Sequence, residues 1–177
     1  MLHSEYLREA DNAISHVKSK VRYRGLNTVG GWIRHPIEAP QKMDARCNSK
    51  IRGAIRSFMY GGPFDAGLYI KETARLAIET HTGNCSELSS VAFLFLNARH
   101  VRPIEYFKVQ RGDWWGHAFV ILNRDGNIPV SKFKDWSPAA VLCDPLYDRS
   151  GKAGLLETWY PRMFPLKDTD LWLRFVE

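Results

Sequence analysis

Three residues of this chain have types and settings that would do chemistry together: a thiol at Cys85, an imidazole at His117 and a carboxylate at Asp144. A thiol attacks as its thiolate, and the free N–H groups and dipole at a helix N-terminus favour that anion. Cys85 has that setting, because it follows Thr82-Gly-Asn84 and opens the apolar stretch Ser86 to Arg99. Gly83 lets the backbone approach closely just before it, and Ser86 and Glu87 are favourable first-turn residues. The same N–H groups could form half of an oxyanion hole, with Asn84 as a candidate contributor. Taken alone, Cys85 reads first as a small buried residue at the start of a central helix, as most lone cysteines do.

His117 shifts that balance. It opens the apolar run Ala118 to Leu122 directly after Trp114-Trp115-Gly116, so it stands at a strand end, where a ring can project to a sheet rim and meet a helix N-terminus. Trp114 and Trp115 could wall an acyl site, although paired tryptophans are as often plain core. Asp144 ends Val141-Leu-Cys-Asp-Pro145, where it is either a turn-initiating Asp-Pro or the acid that fixes the imidazole's tautomer. Asp135 and Asp148 are weaker alternatives. His3, His16, His35, His81 and His100 read as surface or capping residues, with His81 the one close to Cys85 in sequence. Cys143 reads as a core thiol and Cys47 as a bystander in a basic helix.

The elements that must position these groups can be read from periodicity. Residues 3 to 20 repeat apolar side chains at helical spacing, as do residues 65 to 80, while residues 86 to 99 are apolar nearly all round their second half, which predicts a buried central helix. A further helix is expected from Asp44 to Phe58, after the glycine- and proline-broken stretch Arg22 to Gln41. Strands are expected at Ile104–Val109, His117–Leu122 and Ala139–Cys143, and Leu171–Val176 is a candidate edge strand. Helices first and antiparallel strands after them give an α+β class. One domain spans residues 1 to 177, read as a helical extension at 1–60, a core at 64–147 and a C-terminal segment at 148–177, with Gly61-Gly62-Pro63 marking the main break.

Composition bounds the function classes. With 45% hydrophobic and 25% charged residues the chain is of ordinary globular type, neither disordered nor membrane-like. Its longest apolar run, Val91 to Leu96, is about a third of the ~20 residues a bilayer demands, so a soluble protein without a transmembrane helix is expected. The charged N-terminus lacks the apolar core of a cleaved leader. Three scattered cysteines suit a reducing compartment, and neither a disulfide framework nor a zinc module. The net charge of 25 − 19 = +6 is concentrated before residue 60, without any helix-turn-helix, zinc-finger or RNA-binding signature. No nucleic-acid partner is expected. An anionic membrane surface or an acidic protein would fit the basic face, and a non-catalytic interaction module is the rival from another functional class.

Gly83-Asn-Cys85 starting a helix, Gly116-His-Ala-Phe119 starting a strand and Cys143-Asp-Pro145 ending the next resemble the core of transglutaminase-like and papain-like cysteine enzymes, in the same Cys, His, Asp order. The short intervals between the three resemble those of compact bacterial members, among them glutamine deamidase domains of toxins and secreted effectors that act on host signalling proteins. The resemblance covers residues 64 to 147, and the papain-type local signature around the cysteine is absent. It implies a central Cys85 helix packed on an antiparallel sheet after N-terminal helices. It also implies an amide hydrolase or acyl transferase working through Cys85, His117 and Asp144, with deamidation favoured over proteolysis or crosslinking. No cofactor or metal is implied, and the partner would be a protein substrate, a host signalling protein among the candidates. The setting would be the cytosol, or a host cytosol reached through a specialised secretion system.

Overall fold

A computed structural model describes residues 1–24, 65–111, 115–160 and 170–177. Three long helices and a five-stranded antiparallel sheet make up most of it, which is the α+β class expected. Helix α1 (His3–Lys20) buries Tyr6, Ala10, Ala13, Ile14 and Val17, the apolar stripe read from the sequence. Helix α2 (Ala66–Thr80) starts where the Asp65 carboxylate accepts the Leu68 N–H at 2.9 Å, and stops where His81 turns left-handed at φ 52°. The two-residue strands β1 (Tyr23–Arg24), after α1, and β2 (Thr82–Gly83), after α2, pair in parallel. Helix α3 (Cys85–Ala98) follows, one residue earlier than the apolar pattern suggests, so that Cys85 is itself the first helical residue.

The sheet runs in the order β6-β5-β4-β3-β7. Strands β3 (Ile104–Arg111) and β4 (Trp115–Leu122) are each two residues longer than hydrophobic alternation alone predicts, and they pair along their full length from Ile104↔Leu122 to Arg111↔Trp115. Strand β5 (Val141–Asp144) starts two residues later than expected and includes Asp144. Strand β6 (Arg149–Lys152) has no counterpart in the sequence reading, because Arg-Ser-Gly-Lys carries no apolar alternation and owes its extended shape to pairing with β5. Strand β7 (Leu171–Val176) forms the other edge, against β3.

Alternation sorts the strand residues onto two faces. Val120, Leu122, Val141 and Cys143 point into one core with Leu88, Val91, Phe93 and Leu96 of α3, to which α1 and α2 also contribute. Phe119, Ile121 and Leu142 point the other way, into a second cluster closed by Trp136, Leu156 and Tyr160. Those last residues come from a 3-10 turn (Val130–Asp135) with its sequel, and from a second 3-10 turn (Ala153–Leu155) leading into the short helix α4 (Leu156–Trp159). The segments read as an N-terminal extension and a C-terminal tail therefore share cores with residues 64 to 147. Two ionic groups centred on buried acids pin the layers together. Glu9 on α1 accepts from Arg99 at 2.6 and 3.0 Å, and Glu105 on β3 accepts from Arg124 at 3.0 and 3.0 Å and from Arg174 of β7 at 2.7 Å.

The expected Asp44–Phe58 helix, the Arg22–Gln41 stretch beyond Arg24, the Gly61-Gly62-Pro63 break, Cys47 and most of the N-terminal basic residues lie outside the described residues. No helix among the described residues is long and apolar enough to cross a membrane.

Candidate active site

Antiparallel pairing decides where His117 and Asp144 stand. The β4–β5 ladder runs from Leu122↔Val141 to Val120↔Cys143 and ends there. His117 and Asp144 therefore sit just past its last rung, on the face that carries Phe119 and Leu142. Both side chains are buried, His117 at 4% exposure and Asp144 at 0%. They meet across the gap, His117 Nε2 to Asp144 Oδ2 at 2.7 Å. The second Asp144 oxygen accepts the Leu146 N–H at 2.9 Å, the turn bond that the Asp-Pro sequence favours. Thus the two readings of Asp144, turn former and imidazole partner, hold together.

Helix α3 supplies the sulfur from the opposite side of the sheet. Gly83 brings the chain into it so closely that an added Cβ would lie 3.1 Å from Glu87 Cβ and 3.1 Å from Leu88 Cδ2. At the N-cap position, buried Asn84 donates its backbone N–H to the Glu87 carboxylate at 3.1 Å. One turn on, the Ser89 hydroxyl donates to the Ala118 carbonyl at 2.9 Å, tying the helix to β4 beside His117. The half-buried Cys85 thiol consequently lies near enough to the His117 ring for each to shift the other's ionisation. With Nε2 held by Asp144, Nδ1 is the nitrogen left for the sulfur.

The charges at the site follow from these contacts. Burial pushes the Cys85 thiol up, but the hydrogen bond and positive charge of His117, with the Ala118 N–H, bring it below the ordinary thiol value against the opposing Glu87. Burial pulls the His117 ring down, yet the Asp144 carboxylate and the Cys85 sulfur outweigh it and hold the ring up at about 10. Both shifts favour a thiolate beside an imidazolium over the neutral pair. Cys143 differs: it lies fully buried, its Sγ donates to the Ala10 carbonyl at 3.6 Å, and burial pushes its thiol well up.

Other residues flagged by the sequence fall elsewhere. Asp148 pairs with Lys18 at 3.2 Å and Arg24 at 2.7 Å, and His81 holds the Lys20 carbonyl at 3.0 Å through Nδ1, a structural cap. His3 contacts the Ala139 carbonyl at 3.2 Å, and His16 stacks on Phe95 with centroids 4.5 Å apart. Asp135 closes the 3-10 turn. Trp115 is the first residue of β4, and Trp114 lies outside the described residues, as do Cys47 and His35.

Three site neighbours escape the sequence reading. Tyr160 donates its hydroxyl to Asp144 Oδ2 and brings its ring centroid within 5.4 Å of that of His117. Tyr147, 49% exposed, stands with its ring 5.5 Å from the same imidazole. Arg149, the β6 residue opposite Asp144, places its guanidinium 5.3 Å from the Tyr147 ring and 5.6 Å from that of Tyr160. Tyr147 and Arg149 could have been suspected from their nearness to Asp144, but Tyr160 arrives from a separate element with no spacing signal. Among the described residues, no group of three or more His, Cys, Asp or Glu could hold a metal ion.

No protein family, curated protein or solved structure matches this chain.

Proposed function

We propose that this chain is a cysteine-dependent amide hydrolase with a papain- or transglutaminase-like core, and that its substrate is a glutamine side-chain amide of another protein. The observation that carries the reading is the position of the His117 ring, bonded on one nitrogen to a buried carboxylate at 2.7 Å and near a thiol at a helix N-terminus whose ionisation it favours. Nucleophile, base and orienting acid in that relation suit acyl transfer.

The Cys85 thiolate adds to the amide carbonyl, and the oxygen takes up the negative charge where the N–H groups of the first turn of α3 point. Collapse of that adduct breaks the C–N bond, with His117 giving its proton to the departing ammonia and a thioester left on Cys85. His117 then takes a proton from water as the hydroxide attacks the thioester, which releases a carboxylic acid and restores the thiol. The balance is amide plus water to acid plus ammonia. Transfer to a lysine amine or attack on a main-chain amide would use the same three groups. The choice of a side-chain amide rests on the likeness of the Gly83-Asn-Cys85, Gly116-His-Ala-Phe119 and Cys143-Asp-Pro145 segments to compact bacterial deamidase domains, which also makes a host signalling protein the natural partner.

The test is ammonia release from a glutamine-rich protein such as casein, read alongside the intact mass of the product. The reading expects an unbroken chain carrying amide-to-acid mass changes and no release from Cys85→Ala. Cleaved chains would replace deamidation by proteolysis, and activity that survives in Cys85→Ala would remove the thiol from the mechanism.

A further inference from the structure

We propose that Tyr160 is a positioning residue, which locks the Asp144 carboxylate in the orientation that serves His117 and thereby makes the C-terminal segment part of the active site. This rests on the reading of Cys85, His117 and Asp144 as the reacting thiol and its support.

A carboxylate turns easily about its last torsion, which has only broad minima, so its orientation is set by the full set of donors on its two oxygens. Asp144 is held on both. Leu146 N–H grips Oδ1 at 2.9 Å, while Oδ2 receives both His117 Nε2 at 2.7 Å and the Tyr160 hydroxyl. The phenol is buried at 7% exposure and fixed in its turn from behind. Its backbone N–H bonds the Leu156 carbonyl at 2.8 Å, and Arg149 holds the preceding Trp159 carbonyl at 3.1 Å with its guanidinium 5.6 Å from the Tyr160 ring. Burial and the adjacent carboxylate push the Tyr160 phenol well up, so it remains a donor throughout the range in which the thiol titrates.

Other charged and titratable groups facing the cluster among the described residues are Glu87 and Tyr106 from the α3 side, Tyr147 and Arg149 from the β5–β6 side, and Cys143 with Asp11 near Asp144. The donors to Asp144 are His117, Tyr160 and the Leu146 amide. Loss of the Tyr160 hydroxyl should therefore loosen the carboxylate, weaken its support of the imidazolium, and return the Cys85 thiol toward its ordinary behaviour.

The experiment follows the rate of Cys85 alkylation by iodoacetamide from acid to alkaline pH, read by peptide mass spectrometry in the full chain. Tyr160→Phe keeps the ring beside His117 and removes only the hydroxyl. Its acid limb is expected to move up by about half a unit or more, slowing alkylation about threefold on that limb. Asp144→Asn should move it further, and adding Tyr160→Phe to Asp144→Asn should change nothing more, since the tyrosine acts through the carboxylate. Buried Cys143 reports the fold in the same digest, since it labels only in an unfolded chain. If Tyr160→Phe labels there, Tyr160→Met carries the same expectation. A Tyr160 profile that coincides with wild type or moves to lower pH overturns the proposal, as does a double variant whose shift is the sum of the single ones. His117→Ala separates the two levels. If it moves the profile while the Tyr160 variants do not, only the positioning role falls; if it leaves the profile unmoved, the catalytic reading falls and takes Tyr160 with it.

Discussion

His117 ionises at about 10 in the folded chain against about 6.5 in a free one, so folding and protonation of this ring are linked. A group whose pKa rises on folding stabilises fully below its unfolded value and loses that contribution as pH climbs through its folded value. Cys85, whose thiol is depressed, runs the other way and gains stability with pH up to its unfolded value of about 8.5. From about pH 6.5 to about 8.5 the two trends oppose each other; beyond that the His117 loss continues and is joined by that of buried Cys143, whose thiol ionises only in the unfolded chain. The urea midpoint should therefore fall between about pH 8.5 and about 10, and His117→Gln should make that fall shallower. A wild-type midpoint that stays level across this window would contradict the ion pair. These residues were recognisable in the sequence because each stands at an element end that its neighbours define: Gly83-Asn before Cys85, Trp-Trp-Gly before His117, and Pro after Asp144. Tyr160 was not, because its hydroxyl matters only through a partner 16 positions earlier on another element.

Among the elements, the close entry of the chain into α3 and the fit of α4 over β6 each depend on a missing side chain. A methyl group at Gly83 would crowd Glu87 and Leu88 at 3.1 Å, so Gly83→Ala should push the first turn of α3 away from His117. Alkylation of Cys85 near pH 6.5 should then slow several-fold with a change in stability of only about 1–3 kcal/mol. Gly151 is more demanding, since its φ is +156° and a Cβ there would lie 2.6 Å from Trp159 Cη2. Gly151→Ala should displace Trp159 and with it Tyr160, lowering the thermal midpoint and the alkylation rate together; a variant that melts with wild type would refute the contact. The helices were legible because α1 and α2 carry apolar periodicity and α3 is apolar nearly all round its second half, and strands β3, β4 and β5 because they are short runs rich in apolar, aromatic and branched residues. Strand β6 and the turns around it were not, because pairing with β5 and burial beneath Trp159 hold segments whose own residues have no such preference.

At the scale of the molecule, the sheet is a partition with the thiol on one side and the imidazole and carboxylate on the other, and the site exists only where the β4–β5 ladder stops. Helix α1 belongs to that arrangement. Its Ala10 and Ala13 are fully buried, and the Ala10 carbonyl accepts from Cys143, the neighbour of Asp144. Overfilling this seam by Ala13→Leu should cost about 1–3 kcal/mol, seen as a lower urea midpoint at unchanged slope, whereas no loss would mean that α1 is not tightly seated. Charge and composition set only the outer bounds of this picture, since a +6 chain of ordinary hydrophobicity is compatible with many partners. The juxtaposition of Cys85 with His117 is tested most directly by the ultraviolet absorbance of the thiolate, taken as wild type minus Cys85→Ser across pH. The difference should titrate below the ordinary value of about 8.5 and return to it or above in His117→Ala. A signal that titrates at or above that value in both proteins would contradict the account.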